Sequence, residues 1–567
     1  MRAIMKKEFE DAGSIKSLAG TDFFNRSFNS LLVVLRYTFL VVFLVLLASH
    51  EAANPKFGKS SVEFYRDEFK MGIVQELDND YSTRYSVDET RLVNNFYSSR
   101  GYFPAWTVNF EPNTGFNELI KLIASSYHYG LLPSNYYINE LTAFSDSITG
   151  EVSDEDKLDI RIRLEKTATR AAIRLIKHLA VGIRENDTTT AYTNYLLSIP
   201  GYLSEKLDND QLRAGILEVQ PENAQYIRLQ RALSCYLYRA LDDTVNYTTT
   251  ELETNISLIA KRLVKQGYLA EDLVNDTLAI QSAVRNFQKS HYIAVSGDVN
   301  EETLELLKVG TKEKFYRIAL NLDRIRKDEI KNENSILVNI PEYRLRYYNS
   351  KGQETEFDVM VGKTSSPTPL ITSKLERIVT NPHWTVPKRI ARYEILPRIK
   401  KDSLYLSKHG FRVIDNSNEE IDASTIDWEN IEASEFNYWI RQTKMNNALG
   451  VVKFLFPNPY SVYLHDTQSK RLFKKQIRAY SHGCIRVQHP EELAQMLVSE
   501  YGETEEDIKS LIRNKKRKDI RMKDTVSVYI RYYSCTADSL GNITYHPDIY
   551  SMDDSAIQEL FGNSSWN

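Results

Sequence analysis

The stretch "AYSHGCIRV", residues 479–487, carries one of only three cysteines in 567 residues, set between a histidine and an arginine. Cys484 there is a small buried hydrophobe, half of a disulfide or a nucleophile, and its neighbours weigh these readings. A nucleophilic thiol needs a base for its proton, donors for the oxyanion formed on the attacked carbonyl, and a group that positions substrate. Candidates for all three lie nearby. "VYLHD", 462–466, reads as a strand ending in His465, with eighteen residues between that histidine and the cysteine. His482 stands two residues ahead of Cys484. Gly483 permits a tight turn that aims the amides of Gly483 and Cys484 at a developing oxyanion. Arg486 can fork onto a carboxylate. "HPEELAQMLVSEYG", 489–502, then opens a helix, whose start would favour thiolate if it lies close enough. As a metal site the stretch is poor: there is no second Cys at ligand spacing and no His-x3-His pair, so neither metal nor cofactor is expected.

Around this stretch the texture is that of a β domain, roughly 335–535. "ILVNIP", "YRLRYY", "EFDVMVG", "SVYLHD" and "TVSVYIRYY" are short alternating runs rich in Val, Ile and Tyr. "NSKG", 349–352, is a hairpin turn candidate. Residues 385–445 interrupt the pattern with helical and charged sequence, and an insertion next to a site acts as a cap. Trp384 at its entry is a candidate cleft residue. Lys388, Arg389, Arg392, Arg398, Lys400 and Lys401 within it either attract anionic carboxylates or form a solvated basic face. "NKKRKDIRMK", 514–523, reads as a solvated loop and 536–567 as a C-terminal tail.

Residues 60–245 read as mostly helical. "KLDIRIRLEKTATRAAIRLIKHLAVG", 157–182, repeats apolar residues at helical spacing, and nothing in this region carries evident chemistry. Residues 251–310 form a compact unit of three short helices. The second of them, "TLAIQSAVRNFQKSHYI", puts Ile280, Val284 and Phe287 on one face, and the third is capped by Asn300 or Glu301. Near the N-terminus, "LLVVLRYTFLVVFLVLLASHEAA", 31–53, suits a signal peptide or a signal anchor, with residues 1–30 on the cytoplasmic side. The bulk of the chain is then exported to the periplasm or cell envelope. In an exported chain an odd cysteine count leaves at least one thiol without an intramolecular partner. Lys and Arg number 72 against 76 Asp and Glu, a net charge of -4 that gives no reason to expect nucleic acid as a partner.

The combination of a strand-borne "HD" with the downstream "SHGCIRV" resembles the signature of the L,D-transpeptidase (YkuD) family. "FDVMVGKTSSPTPL" looks like the family's strand and Thr-Pro loop. "NPHWTVPKRIARYEILPRI" resembles the capping insertion of its large YcbB-type members, and "NALGVVKFLFPNPYSVYLHDT" their catalytic core. "FYSSRGYFPAW" and "YHYGLLPSNYY" are similar to their N-terminal scaffold. Gly267-Tyr268-Leu269, Ala283-Val284, Phe287-Gln288, Ser296-Gly297-Asp298 and Thr303-Leu304 resemble a three-helix peptidoglycan-binding module. The resemblance implies an α+β multidomain fold: helical scaffold, peptidoglycan-binding module, and a mostly β catalytic domain with an inserted helical cap. It implies Cys484 as nucleophile and His465 as general base, oriented by the backbone carbonyl of Asp466 or a neighbour. His482 is implied as a supporting group, Gly483 and Cys484 as the oxyanion hole, and Arg486, Asp466 and Trp384 as substrate contacts. The reaction implied is acyl transfer between peptidoglycan stem peptides, with carbapenem-type inhibitors acylating Cys484. An L,D-carboxypeptidase and a wall-binding structural protein are the alternatives. A cysteine peptidase of another fold would usually place its histidine far downstream.

Overall fold

Nine strands build the sheet that carries "SHGCIRV". In chain order they are β1 Ser335–Asn339, β2 Arg344–Tyr348, β3 Glu354–Gly362, β4 Ile371–Thr380, β5 Val452–Leu455, β6 Leu464–His465, β7 Ala479–Ser481, β8 Ile485–Val487 and β9 Lys518–Arg531. Their spatial order is β7-β3-β8-β6-β5-β4-β9-β1-β2, and β2 also pairs with β3, so the sheet curls until it closes on itself. Closure removes the exposed edges that an open sheet of this size would present. The computed structural model describes residues 67–74, 87–148, 154–183, 190–240, 252, 255–328, 330–331, 333–442 and 447–562. The segments 1–30 and 31–53, expected to lead and to anchor, lie outside the described residues.

Period-2 alternation explains how this sheet is packed. Ile336, Val338, Leu345, Tyr347, Val359, Phe454, Leu464, Ile485 and Val487 join one buried cluster, against which the helix Pro490–Tyr501 lays Leu493, Ala494 and Leu497. Leu337, Tyr348 and Tyr529 point the other way. They meet the helix Thr311–Arg326 and the scaffold helix Ala224–Ala240 in a second cluster. Fully burying one such side chain stabilises by about 1.5–3 kcal/mol, so the sheet is held from both faces. The "NSKG" turn joins β2 to β3, with Gly352 at φ +71°.

Residues expected as a tail belong to this packing. A hairpin of Cys535–Ala537 with Ile543–Tyr545 is followed by the helix Asp553–Phe561. Ala556, Leu560 and Phe561 are buried in the second cluster, and Arg324 pairs with Asp553 at 2.8 Å. The basic run at 514–523 is also corrected: from Lys518 it is strand β9, antiparallel to β4 with Ile520 opposite Ile378. Ile520 is its buried residue, while its charged neighbours stay on the outer face.

The scaffold centres on the 28-residue helix Asp154–Val181. Ala168, Ala171, Leu175, Ile176 and Leu179 bury its apolar stripe. On the same helix Glu165 is fully buried and accepts from the amides of Ala105 and Trp106, the Thr107 hydroxyl and the Tyr97 hydroxyl. Burial raises its carboxyl pKa against the pull of those four donors. Helices Ile256–Lys265, Thr277–Ser290 and Glu301–Lys308 share a small core of their own. Asn300 caps the third through the Thr303 amide. Gln288 is fully buried there. Its Oε1 accepts from the amides of Ser296 and Gly297, while its Nε2 donates to Asp298 O and Thr303 Oγ1. The architecture is α+β and multidomain. All three cysteines are free, so Cys235 and Cys535 are not joined.

Candidate active site

Strand register assembles the site. His465 on β6 faces Lys453 on antiparallel β5 and Arg486 on parallel β8, so the three lie in one row across the sheet. Side chains two residues apart on a strand share a face. Tyr463 therefore joins His465, and Cys484 joins Arg486, while Phe454, Leu464, Ile485 and Val487 between them point into the core. One alternation builds both the core and the chemistry: "VKF", "YLH" and "CIRV" each send their apolar residues inward and their reactive residues to the opposite face.

His465 is 5% exposed and its Nδ1 lies 2.5 Å from the backbone carbonyl of Asp466. A carbonyl oxygen only accepts, so Nδ1 carries the proton and Nε2 keeps its lone pair. Burial, then the nearby Arg486 guanidinium, push the imidazole down to about 3, with the Asp466 hydrogen bond opposing. The ring is therefore neutral near pH 7 and available as a base. The Cys484 sulfur lies 3.9 Å from Ser461 O. Its thiol is raised by burial, against the lowering influence of Tyr463, Lys453 and Arg486. The Tyr463 hydroxyl is raised by burial and by Cys484, with Trp384 opposing, and its ring stands 5.6 Å from the His465 ring. The Lys453 ammonium sits 4.3 Å over that tyrosine ring. Burial lowers the lysine, while Cys484 holds it up. Arg486 is half-buried, and its Nε has no hydrogen-bond partner among the described residues.

The turn before Cys484 is stitched in place. Gly483 has φ +112°, which L side chains rarely adopt. Its carbonyl accepts from Thr368 Oγ1 at 2.8 Å, and Thr368 Oγ1 in turn accepts from the Gly362 amide. Tyr550 closes this network by donating to Gly362 O and accepting from the Thr368 amide. The Gly483 amide donates to Ser481 Oγ at 3.1 Å. It is thus engaged by the loop itself, which leaves the Cys484 amide as the remaining oxyanion donor of the expected pair.

The inserted segment has its own small sheet, ordered Trp384–Thr385, Trp439–Gln442, Phe411–Ile414, Glu420–Ile421. Val386, Ile395, Leu396, Val413, Phe436 and Ile440 form its core. It reaches the catalytic loop in two places. Trp384 contacts Tyr463 as above. Glu394, in a π-helical turn over Ala391–Ile395, meets His482 Nε2 at 2.7 Å. Such turns recur at functional sites. His482 is thus exposed and tied to the cap. Of the cap's basic residues, Arg392 is committed to Phe436 O, Arg398 to the Tyr405 hydroxyl and Lys388 to the Trp439 ring.

Two expectations are corrected. The Asp466 carboxylate is 2% exposed and accepts from the Val451 amide; a Cβ on Gly450 would collide with it, so it shapes that turn and is closed to substrate. The helix after Cys484 begins at Pro490, beyond the first-turn range over which a helix terminus acts on a thiol. Sequence reading missed Lys453, Tyr463, Glu394 and Thr368. A lysine inside the apolar run "VVKFLF" was the available signal for the first.

A neutral, oriented imidazole and a half-buried thiol thus share one face of a closed β sheet, bordered by the inserted cap. Residues 333–528 match the family model of the L,D-transpeptidase catalytic domain, YkuD, and residues 91–233 match a scaffold domain. A curated protein of Haemophilus influenzae named "Putative L,D-transpeptidase" is 37% identical over 238 residues, 42% of this chain and 48% of that relative. The chain spans about half the length of the curated relative it matches. The match to the YkuD L,D-transpeptidase catalytic domain thus covers about a third of the chain, the part that holds the site.

Proposed function

We propose that this protein is a peptidoglycan L,D-transpeptidase of the large, capped YcbB type, forming 3→3 crosslinks between stem peptides. The observation that carries the reading is the row Lys453, His465, Arg486 with Cys484 and Tyr463 on the same face, His465 being held in the tautomer that bares Nε2. In the first half-reaction the Cys484 sulfur bonds to the carbonyl carbon of the third stem residue, and its proton passes to His465 Nε2. The Cys484 amide holds the oxyanion. As the tetrahedral species collapses, the C–N bond to the terminal D-alanine breaks and His465 returns the proton to that amine, leaving a thioester. In the second half-reaction an amine from a neighbouring stem attacks, His465 takes its proton, and the C–S bond breaks to release the crosslink. The thiolate then recovers that proton.

Lys453 and Arg486 offset the negative charge on sulfur while the proton is away, because His465 at rest brings no positive charge of its own. Arg486, with an unpartnered Nε, also suits a substrate carboxylate. Glu394 and Trp384 anchor the cap over the loop. Excluding water there lengthens the life of the thioester and favours transfer over hydrolysis. His482 supports the cap contact rather than moving protons. The residues 251–310 serve as the peptidoglycan-binding module, and 31–53 attach the chain to the inner membrane or are cleaved, placing the enzyme in the periplasm.

The test is to incubate purified protein with disaccharide-tetrapeptide and weigh the products. Crosslinked dimer supports the proposal. Tripeptide alone replaces it with L,D-carboxypeptidase. No product, together with a Cys484 that no carbapenem acylates, refutes both and leaves a wall-binding structural role.

A further inference from the structure

A cavity of about 880 Å³ has a wall that does not include Cys484. Its wall comes mainly from the scaffold helix Ala224–Ala240, the 256–308 helices, the β2–β3 region and the 535–546 hairpin, with Ile325 and Gln476 completing it. Its size falls within the roughly 300–1,000 Å³ of small-molecule sites, which favour such junctions.

The wall's charges nearly balance, with one more carboxylate than cation. Arg228, Lys289 and Arg346 stand against Glu342, Glu354, Glu356 and Asp538. Arg346 forks onto Glu342 and also meets Glu354 at 3.2 Å and Glu356 at 2.9 Å. Arg228 adds a 3.9 Å contact to Glu354. Asp538 is filled by the Leu540 and Asn542 amides and the Asn542 side chain. An anion finds no surplus of cations here, and a cation finds no free carboxylate.

Hydrogen-bonding capacity, by contrast, is left over. Gln225 and His546 belong to the wall, and their Oε1 and Nδ1 atoms are buried with no hydrogen-bond partner among the described residues. His546 is 2% exposed and shares its other nitrogen with Thr536 Oγ1 at 2.7 Å. Buried polar atoms are rarely left unmatched. A hydroxyl both donates and accepts, so it satisfies Gln225 and also His546 in either tautomer. Tyr268 and Tyr292 add ring surface for apolar C–H faces. A neutral, hydroxyl-rich ligand fits all of these features together.

We propose that this junction cavity binds an uncharged stretch of glycan, the N-acetylated sugar backbone of peptidoglycan, as a second site separate from the catalytic cleft. The choice of this glycan rests on the function proposed above. Gln476 lines the cavity and precedes Cys484 by eight residues, a chain length that spans at most roughly 29 Å. A strand seated there holds its stem peptides close to the nucleophile.

The test uses the full chain and N-acetylglucosamine tetramer, which has no stem peptide, with binding read by calorimetry or saturation-transfer NMR. Saturable binding is expected with a Kd of about millimolar or tighter. Asn286→Trp, on an exposed helix position at the wall, should weaken it by at least about tenfold, and Gln225→Leu by about three- to tenfold. Carbapenem acylation of Cys484 should be unchanged in both. Absence of saturable binding, binding that both variants retain, or displacement by free stem tetrapeptide but not by sugar overturns the proposal. Sugar binding that survives in a protein with no transfer activity would overturn the catalytic reading and leave this one standing.

Discussion

Acidifying the protein from pH 7 to pH 5 should cost stability through His465, and the amount follows from its environment. The imidazole has an ordinary pKa of 6.5 and is held at about 3 in the fold, chiefly by burial and secondly by Arg486. Between those values the unfolded chain binds a proton that the folded chain refuses. The stabilising contribution is therefore complete above 6.5 and is lost progressively as pH falls toward 3. For these two pKa values the loss between pH 7 and pH 5 is about 2 kcal/mol, roughly 25-fold in the folded-to-unfolded ratio. His178, His291 and His546 are also depressed by burial and contribute in the same direction. The His465 share is thus the difference between wild type and His465→Gln. Urea unfolding followed by tryptophan emission suits the measurement, because Trp384, Trp428 and Trp439, three of the five tryptophans, sit in the cap of the catalytic domain. Wild type should lose about 2 kcal/mol more than the variant on going to pH 5. The same ring observed by NMR should show no titration between pH 5 and 8. Equal pH dependence in the two proteins, or a His465 titration near 6.5, would refute a buried neutral imidazole and replace it with a resting thiolate–imidazolium pair.

Lys453→Met should move the alkylation midpoint of Cys484 upward by about one pH unit and slow carbapenem acylation about tenfold near neutral pH. Lys453→Arg should recover most of both; an unchanged midpoint in Lys453→Met would exclude the lysine from stabilising the sulfur. Glu394→Ala removes a contact between two partly exposed groups, worth about 0.2–1 kcal/mol, so the share of thioester lost to water should rise up to about fivefold with acylation itself intact; a collapse of acylation would mean that Glu394 acts on the chemistry. Gln288→Leu strands the Ser296 and Gly297 amides and takes a donor from Asp298 O and Thr303 Oγ1, at a cost of about 2–4 kcal/mol. Hydrogen exchange in Thr277–Ser290 should accelerate, and a protection pattern like wild type would show that the turn finds other partners.

Much of the fold was legible, and His465 and Cys484 stood out as a candidate pair, because period and chemistry coincide in the sequence. Short alternating runs announce strands, and a histidine on one with Gly-Cys on another announces a thiol site. What was not legible depends on register and on distance along the chain. Lys453 becomes a neighbour of His465 only once β5 and β6 are aligned. Glu394 reaches His482 only after the insertion has folded back across 88 positions. The first half of strand β9 was hidden because it pairs with β4 alone, so charges fill its outward positions and only Ile520 signals the core. The C-terminal helix was missed because Ala556, Leu560 and Phe561 bury against the helix Thr311–Arg326, more than two hundred residues earlier.

The electrostatics of Cys484 bear on the proposed location outside the cytoplasm. Oxidants and disulfides react with thiolate, so a thiol kept protonated at rest is protected from both. Burial raises Cys484, and Cys535 is pushed up to about 12 in the same way. For a structural cysteine that is the end of the matter. Under the function proposed above Cys484 must still lose its proton, and in that mechanism the route is conditional. The base beside it is neutral but cannot hold a proton cheaply in the closed, buried site, because its own pKa is about 3. Proton transfer therefore becomes favourable only when a substrate carbonyl accepts the sulfur's electrons as the proton leaves. Lys453 and Arg486, fixed in the same row by strand register, stabilise the charge in that interval. Coupling ionisation to attack in this way would give an enzyme that is inert toward its surroundings and reactive toward a stem peptide beneath the cap.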